Sequence, residues 1–112
     1  GSVALSSNHG THTSAYVING KILKIYFDPL DCDTNGSLFV YISGPTNEQV
    51  FHMNGLSQGY YYPRVTVVDV DNNAVNAGSG LRYTEAVSNA HMYWVVSGGG
   101  TGSQFFSTVY YV

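Results

Sequence analysis

Short runs of alternating apolar and polar residues, broken by Gly, Pro, Asn and Asp, fill this chain from end to end. Period-two alternation is what a strand with one wet and one dry face requires. The breaks recur at about the 8–12-residue spacing of an all-β sandwich or barrel. A helical period is nearly absent. The best helical stretch, residues 83–91, holds Glu85, Ala86, Val87 and Ala90, but it is short, β-branched at its centre and uncapped, so it reads as a turn or short loop. Without crossover helices a parallel βαβ arrangement has no support.

Residues 12–18 alternate into Asn19-Gly20, whose tolerance of positive φ makes it a strong hairpin signal. In residues 21–28, Ile22, Lys24 and Tyr26 alternate with Leu23, Ile25 and Phe27. Pro29 ends that strand by removing a ladder donor, and residues 28–36 form a turn-rich loop. Residues 37–43 alternate Leu38, Val40 and Ile42 with Phe39 and Tyr41. A turn at Gly44-Pro45-Thr46-Asn47 leads to a short strand, 48–53, closed by Asn54-Gly55. Residues 60–70 are the longest strand candidate, 71–80 a loop, and 81–84, 92–97 and 104–112 further strands. The glycine-dense stretch 97–103 reads as a flexible turn. About eight strands result. The expected fold is an antiparallel, jelly-roll-like β-sandwich, one domain over residues 1–112, with 1–12 as a flexible or partner-ordered arm.

The chain has 112 residues, of which only 10% are charged, with net charge −3. No basic stripe exists, and tight phosphate binding needs clustered cations, so a nucleic-acid partner is not expected. No apolar run approaches the roughly 18 residues of a membrane helix, so no membrane partner is expected either. Cys32 is the only cysteine, which excludes a disulfide within the chain and reads as a small apolar residue. Low charge also leaves few residues to protect strand edges. This is the composition of a protein that hides much of its surface against neighbours, as a homo-oligomer does.

Chemical motifs are weak. Asp31, Asp33 and Asn35, followed by Gly36, reproduce the first half of a calcium loop, but Ile42 stands where a bidentate carboxylate is needed. The competing reading is a solvated Asx-rich turn. His9 and His12 are two ligands short of a tetrahedral site, and His52 and His91 lie far along the chain. Ser97-Gly98-Gly99-Gly100-Thr101-Gly102 lacks the lysine and helix of a phosphate loop, and no serine sits in a nucleophile elbow. No cofactor and no enzymatic activity are expected. The remaining signal is aromatic: Tyr60, Tyr61, Tyr62, Arg64, Tyr110 and Tyr111 are candidates for partner binding, because Tyr and Arg combine contact area with a hydrogen-bonding tip. A strand sends consecutive tyrosines to alternate faces.

Three segments carry a resemblance: Tyr16-Val17-Ile18-Asn19-Gly20-Lys21-Ile22-Leu23-Lys24-Ile25-Tyr26, the central Tyr61-Tyr62-Pro63-Arg64, and Met92-Tyr93-Trp94-Val95-Val96-Ser97-Gly98-Gly99-Gly100. Together they resemble small virion structural proteins of tailed bacteriophages, of the cement or head-decoration kind. The resemblance implies a β-rich module of the virion without catalytic residues, which oligomerises and clamps the major capsid or other virion proteins. The alternative is a carbohydrate-binding β-sandwich, a receptor-binding tip or binding module, with Trp94 or the tyrosines stacked on a glycan.

Overall fold

A computed structural model of the chain describes residues 1–8, 10–44, 46–66, 71, 73, 76–77, 80–81, 83–100 and 102–112. Every regular element among them is a strand. They are β1 (Ser2–Asn8), β2 (Gly10–Thr13), β3 (Ile18–Asp28), β4 (Ser37–Ile42), β5 (Glu48–Asn54), β6 (Gly59–Tyr61) and β7 (Arg64–Thr66), then β8 (Asn76–Ala77), β9 (Gly80–Leu81), β10 (Tyr83–Glu85), β11 (Val87–Ala90), β12 (Met92–Ser97) and β13 (Gln104–Tyr111).

All pairings are antiparallel. One sheet has the order β1-β13-β3-β11, with β6 also on β3; the other has the order β2-β12-β4-β5. The pairs β1:β13, β2:β12, β3:β11 and β4:β5 are those of one long folded-back ribbon. The further pairs β13:β3 and β12:β4 roll that ribbon into two sheets. This is the connectivity of a jelly roll built on eight strands. The remaining strands, β6 to β10, lie in the connection between β5 and β11, so the strand count exceeds the expected eight. They include two small ribbons, β7 with β10 and β8 with β9.

The core lies between the sheets. Ile18, Ile22, Ile25, Phe27, Phe105 and Val109 face Leu38, Val40, Ile42, Met92, Trp94 and Val96, all buried. Strands β4 and β12 alternate buried and half-buried positions without a slip, as their sequence expects. Trp94 is fully buried; its indole N–H donates to Ser107 Oγ at 3.0 Å, and that hydroxyl donates to the Tyr26 carbonyl at 2.6 Å. The bridge satisfies a buried donor across the two sheets, where an unpaired one would cost about 1–3 kcal/mol.

Four local expectations are corrected. Strand β3 does not keep one alternation: Ile22 and Ile25 are both buried, and Leu23 is exposed. The register against β13 slips between Tyr110 and Tyr111, which oppose Lys24 and Ile22. Leu23 is thus the extra residue of a bulge, which turns the strand over. Asn19-Gly20 makes no hairpin turn but lies inside β3, opposite Asn89 and Ser88. Gly20 has φ +131°, and a Cβ there would collide with the Val112 carbonyl oxygen; the glycine serves close approach of the closing segment. Most of residues 83–91 is strand rather than turn or loop: β10 overlaps the expected strand 81–84, and β11 follows with outward Val87 and inward Ser88. The inverted polarity of β11 hid it. The long strand over 60–70 is interrupted at Tyr62-Pro63 between β6 and β7, and residues 67–70 lie outside the described residues. Within the expected arm, β1 pairs with β13 and β2 with β12 of the same subunit.

Candidate functional site: two aromatic faces

The outward face of the first sheet gathers the tyrosine candidates. Tyr60 on β6 stands directly opposite Tyr26 on β3, and Tyr110 on β13 stands opposite Lys24 on β3. Direct cross-strand neighbours are close enough for their side chains to interact. The ring centroids of Tyr26 and Tyr60 are 5.2 Å apart, those of Tyr26 and Phe106 6.1 Å, and those of Tyr60 and Tyr110 6.5 Å, all tilted. The Lys24 ammonium sits between two rings, 4.6 Å from the Tyr60 centroid and 5.2 Å from that of Tyr110. Gln58 Nε2 donates to the Tyr26 hydroxyl at 2.6 Å, fixing that ring. Tyr60 is 52% exposed.

The six candidates divide as strand alternation requires. Tyr60 and Tyr62 point outward. Tyr61 packs on the core, 5.2 Å from the Phe51 ring, and its hydroxyl donates to the Ser57 carbonyl. Tyr62, 57% exposed, has the Arg64 guanidinium 5.7 Å from its centroid, and Arg64 Nη1 donates to the Pro63 carbonyl. Tyr110 belongs to the outer face, while Tyr111 packs against the core. Lys24, Tyr26 and Phe106 complete the cluster and were missed in the sequence reading. The detectable signal was Lys24 and Tyr26 two apart on one strand; their neighbours come from distant segments.

The second sheet carries a different aromatic row. Phe39 on β4 stacks on His52 of β5 with centroids 4.4 Å apart at 12°, and Tyr41 stacks on Tyr93 of β12 at 4.8 Å and 16°. Phe39 and Tyr41 are 6.4 Å apart and nearly parallel. Each stacked pair joins residues in register on neighbouring strands. These rings turn their faces toward each other. Trp94 cannot stack on a glycan as the sequence reading allowed, since it is wholly inside.

The acidic loop supports the fold. Asp33 Oδ1 accepts from the Asn35 amide and Asp31 Oδ1 from the Gln104 amide, at 2.9 and 2.6 Å. Asp28 Oδ1 accepts from the Leu30 amide. The glycine stretch is tied to the same loop, with the Asp33 amide donating to the Gly99 carbonyl and Ser103 Oγ to the Gly99 and Gly100 carbonyls. His12 packs edge-on to Phe105, His52 stacks on Phe39, and His91 Nδ1 lies 2.9 Å from the Ser14 carbonyl oxygen; His9 is outside the described residues. Among the described residues no three His, Cys, Asp or Glu side chains gather as a metal site, and no pocket forms.

The chain matches no family model, no curated protein and no solved structure. Its functional reading therefore rests on its own geometry and on the sequence resemblance.

Proposed function

We propose that this chain is a non-enzymatic virion structural protein. It stabilises an assembly by binding major capsid or other virion subunits through the tyrosine face of its first sheet and through strand edges. The observation that carries this reading is the outward cluster of Tyr60, Tyr26, Phe106 and Tyr110 around Lys24. Such a surface offers broad contact area, hydroxyl tips and one cation, the chemistry enriched at protein interfaces. Binding only to the assembled state would stabilise that state by mass action.

Jelly rolls occur in both viral capsid and lectin domains, so the architecture alone admits a protein or a glycan partner. A sugar platform needs ring faces open to solvent. On the second sheet the stacked rings are turned toward one another, and on the first the ammonium lies over two rings. Those placements favour a protein partner. The test is sedimentation of the chain with assembled tailed-phage shells, followed by cryo-imaging. Saturable binding is expected, weakened roughly 30-fold or more by joint Tyr60→Ala and Tyr110→Ala if they act as hot spots. Absence of shell binding, together with saturable capture of a defined sugar on a glycan array, would replace this reading.

A further inference from the structure

Among the described residues five strands border the two main sheets, β6 and β11 sharing one side of β3, and they differ in how well they are protected. Isolated sheets defend their edges with charge, proline, bulges or brevity. Strand β2 has four residues and β11 has four. Strand β6 has three and is followed by Pro63. Strand β5 carries Glu48, and its register slips against β4. Strand β1 has none of these defences. Its seven residues, Ser-Val-Ala-Leu-Ser-Ser-Asn, include no charge and no proline, and they pair one-to-one with β13 without a slip. The charge-free stretch extends well beyond it: the first charged side chain in the sequence is Lys21.

The backbone phase of β1 follows from its first residue. Gly1 donates to the Tyr111 carbonyl at 2.7 Å and accepts from the Tyr111 amide at 2.9 Å. In a regular antiparallel ladder such doubly bonded pairs alternate along the strand. Val3 and Leu5 therefore aim their amide and carbonyl at β13. Ser2, Ala4 and Ser6 aim theirs away from it, toward the side where no described strand pairs with β1. Val3 is buried and Leu5 packs on the core, while Ser2 and Ala4 are exposed on the outer face. Across the ladder, Ser2 stands opposite Tyr110 and Ala4 opposite Thr108. The small side chains of β1 thus form the margin of the tyrosine face.

We propose that the open edge of β1 is a docking edge for a second copy of this chain. The two β1 strands pair antiparallel about a two-fold axis and join the two tyrosine-bearing sheets into one. An antiparallel edge is self-complementary, because each copy offers the same alternation of outward donors and acceptors. With no charged side chain on either copy's β1, the contact brings no like charges together. Ser2 and Ala4 leave room for the neighbouring strand. Joining at this margin sets two Tyr60 faces side by side, so a partner with repeated subunits is held at two points. This dimer serves the assembly role proposed above and rests on that reading for its purpose.

The test uses the purified full chain. Sedimentation equilibrium across a concentration series is expected to show a monomer–dimer equilibrium. Ala4→Pro removes one outward amide per copy while leaving the bonds to β13, since proline is tolerated where the N–H faces away from the ladder. It is expected to raise the dimer dissociation constant roughly tenfold or more, from two lost hydrogen bonds. Tyr60→Ala is expected to leave the dimer intact. Amide exchange in the unaltered chain decides the matter even if Ala4→Pro fails to fold. Protection of the Ser2, Ala4 and Ser6 amides must rise with protein concentration. A monomer at all concentrations, or a dimer whose β1 amides exchange freely, overturns the proposal. Shell binding by a strict monomer would sink this edge and leave the proposed function standing, and a dimer indifferent to shells would do the reverse.

Discussion

Both outer faces of the sandwich carry clustered rings, yet they use them differently. On the β4 side, Phe39 with His52 and Tyr41 with Tyr93 stand in parallel stacks on paired strands. On the β3 side, Tyr60, Tyr26, Tyr110 and Phe106 are tilted and more widely spaced, with Lys24 among them. Stacked rings contribute to the stability of the sheet that holds them. Tilted rings around a cation leave more edge and hydroxyl for something else. Aromatic content alone therefore does not mark a binding surface; the register that decides which rings meet does.

The largest expected effect lies between the faces. Trp94 fills the core and bridges the sheets through Ser107. Trp94→Ala should cost about 3–5 kcal/mol, read as a shift in the urea midpoint, and should loosen both faces together. A loss below about 1 kcal/mol, the scale of an ordinary surface change, would mean that the two sheets do not share one core.

The next effect separates the faces. Tyr41→Ala should destabilise by about 1–2 kcal/mol, since it removes half-buried area and a stacked pair. Tyr60→Ala should cost less, about 0.5–1 kcal/mol, the scale of its contact with the Lys24 ammonium at a half-exposed site. Equal losses in chemical denaturation would erase the distinction drawn here. A stability loss at Tyr60 exceeding that at Tyr41 would reverse it.

Strands β4 and β12 were legible because each keeps a single alternation with its aliphatic, Met or Trp residues buried; β13 was legible from its length, although Ser107 and Thr108 are both buried. Strand β3 was only half legible. A bulge adds one residue, and nothing local marks Leu23 as that residue until Tyr110 and Tyr111 are placed opposite it. Asn19-Gly20 imitates a turn because glycine supplies the positive φ a hairpin uses, whereas here its missing Cβ admits the Val112 carbonyl. Strand β11 was illegible because Ser88 faces inward and Val87 outward. Alternation placed Tyr60 and Tyr61 on opposite faces but did not say which of them points outward. Nor did it give the neighbours: Lys24 meets Tyr110 across 86 positions of sequence, the difference between 110 and 24, through pairing that only the rolled topology creates.

A smaller effect tests Lys24 itself. A cation over an exposed ring contributes about 0.5–1 kcal/mol. A double-mutant cycle of Lys24→Met and Tyr60→Phe or Tyr60→Ala should show coupling of that size for Ala and much less for Phe, which keeps the π face. Coupling that vanishes in both cycles would make the ammonium a solvated bystander and leave the tilted rings without their organising charge.

The smallest effect is electrostatic and lies on the flank that has charges to spend. The Glu85 carboxyl is held below its ordinary value of 4.5, foremost by a hydrogen bond with its own backbone amide; burial pushes the other way, while Lys21, Arg64 and the Thr84 hydroxyl lower it further. Glu85 lies opposite Arg64 in the β10:β7 ribbon. A depressed carboxyl contributes stability that is present above 4.5 and lost as pH falls through the lower folded value. Glu85→Gln should therefore melt slightly lower than the unaltered chain at neutral pH, and the two curves should converge as acid protonates the glutamate. Salt should shrink the gap, because the Lys21 and Arg64 contributions are screened at an exposed site. A gap that is independent of both pH and salt would assign the loss to local backbone geometry. It would also leave charge with no measurable part in holding this flank, making it no different in that respect from the uncharged β1 edge.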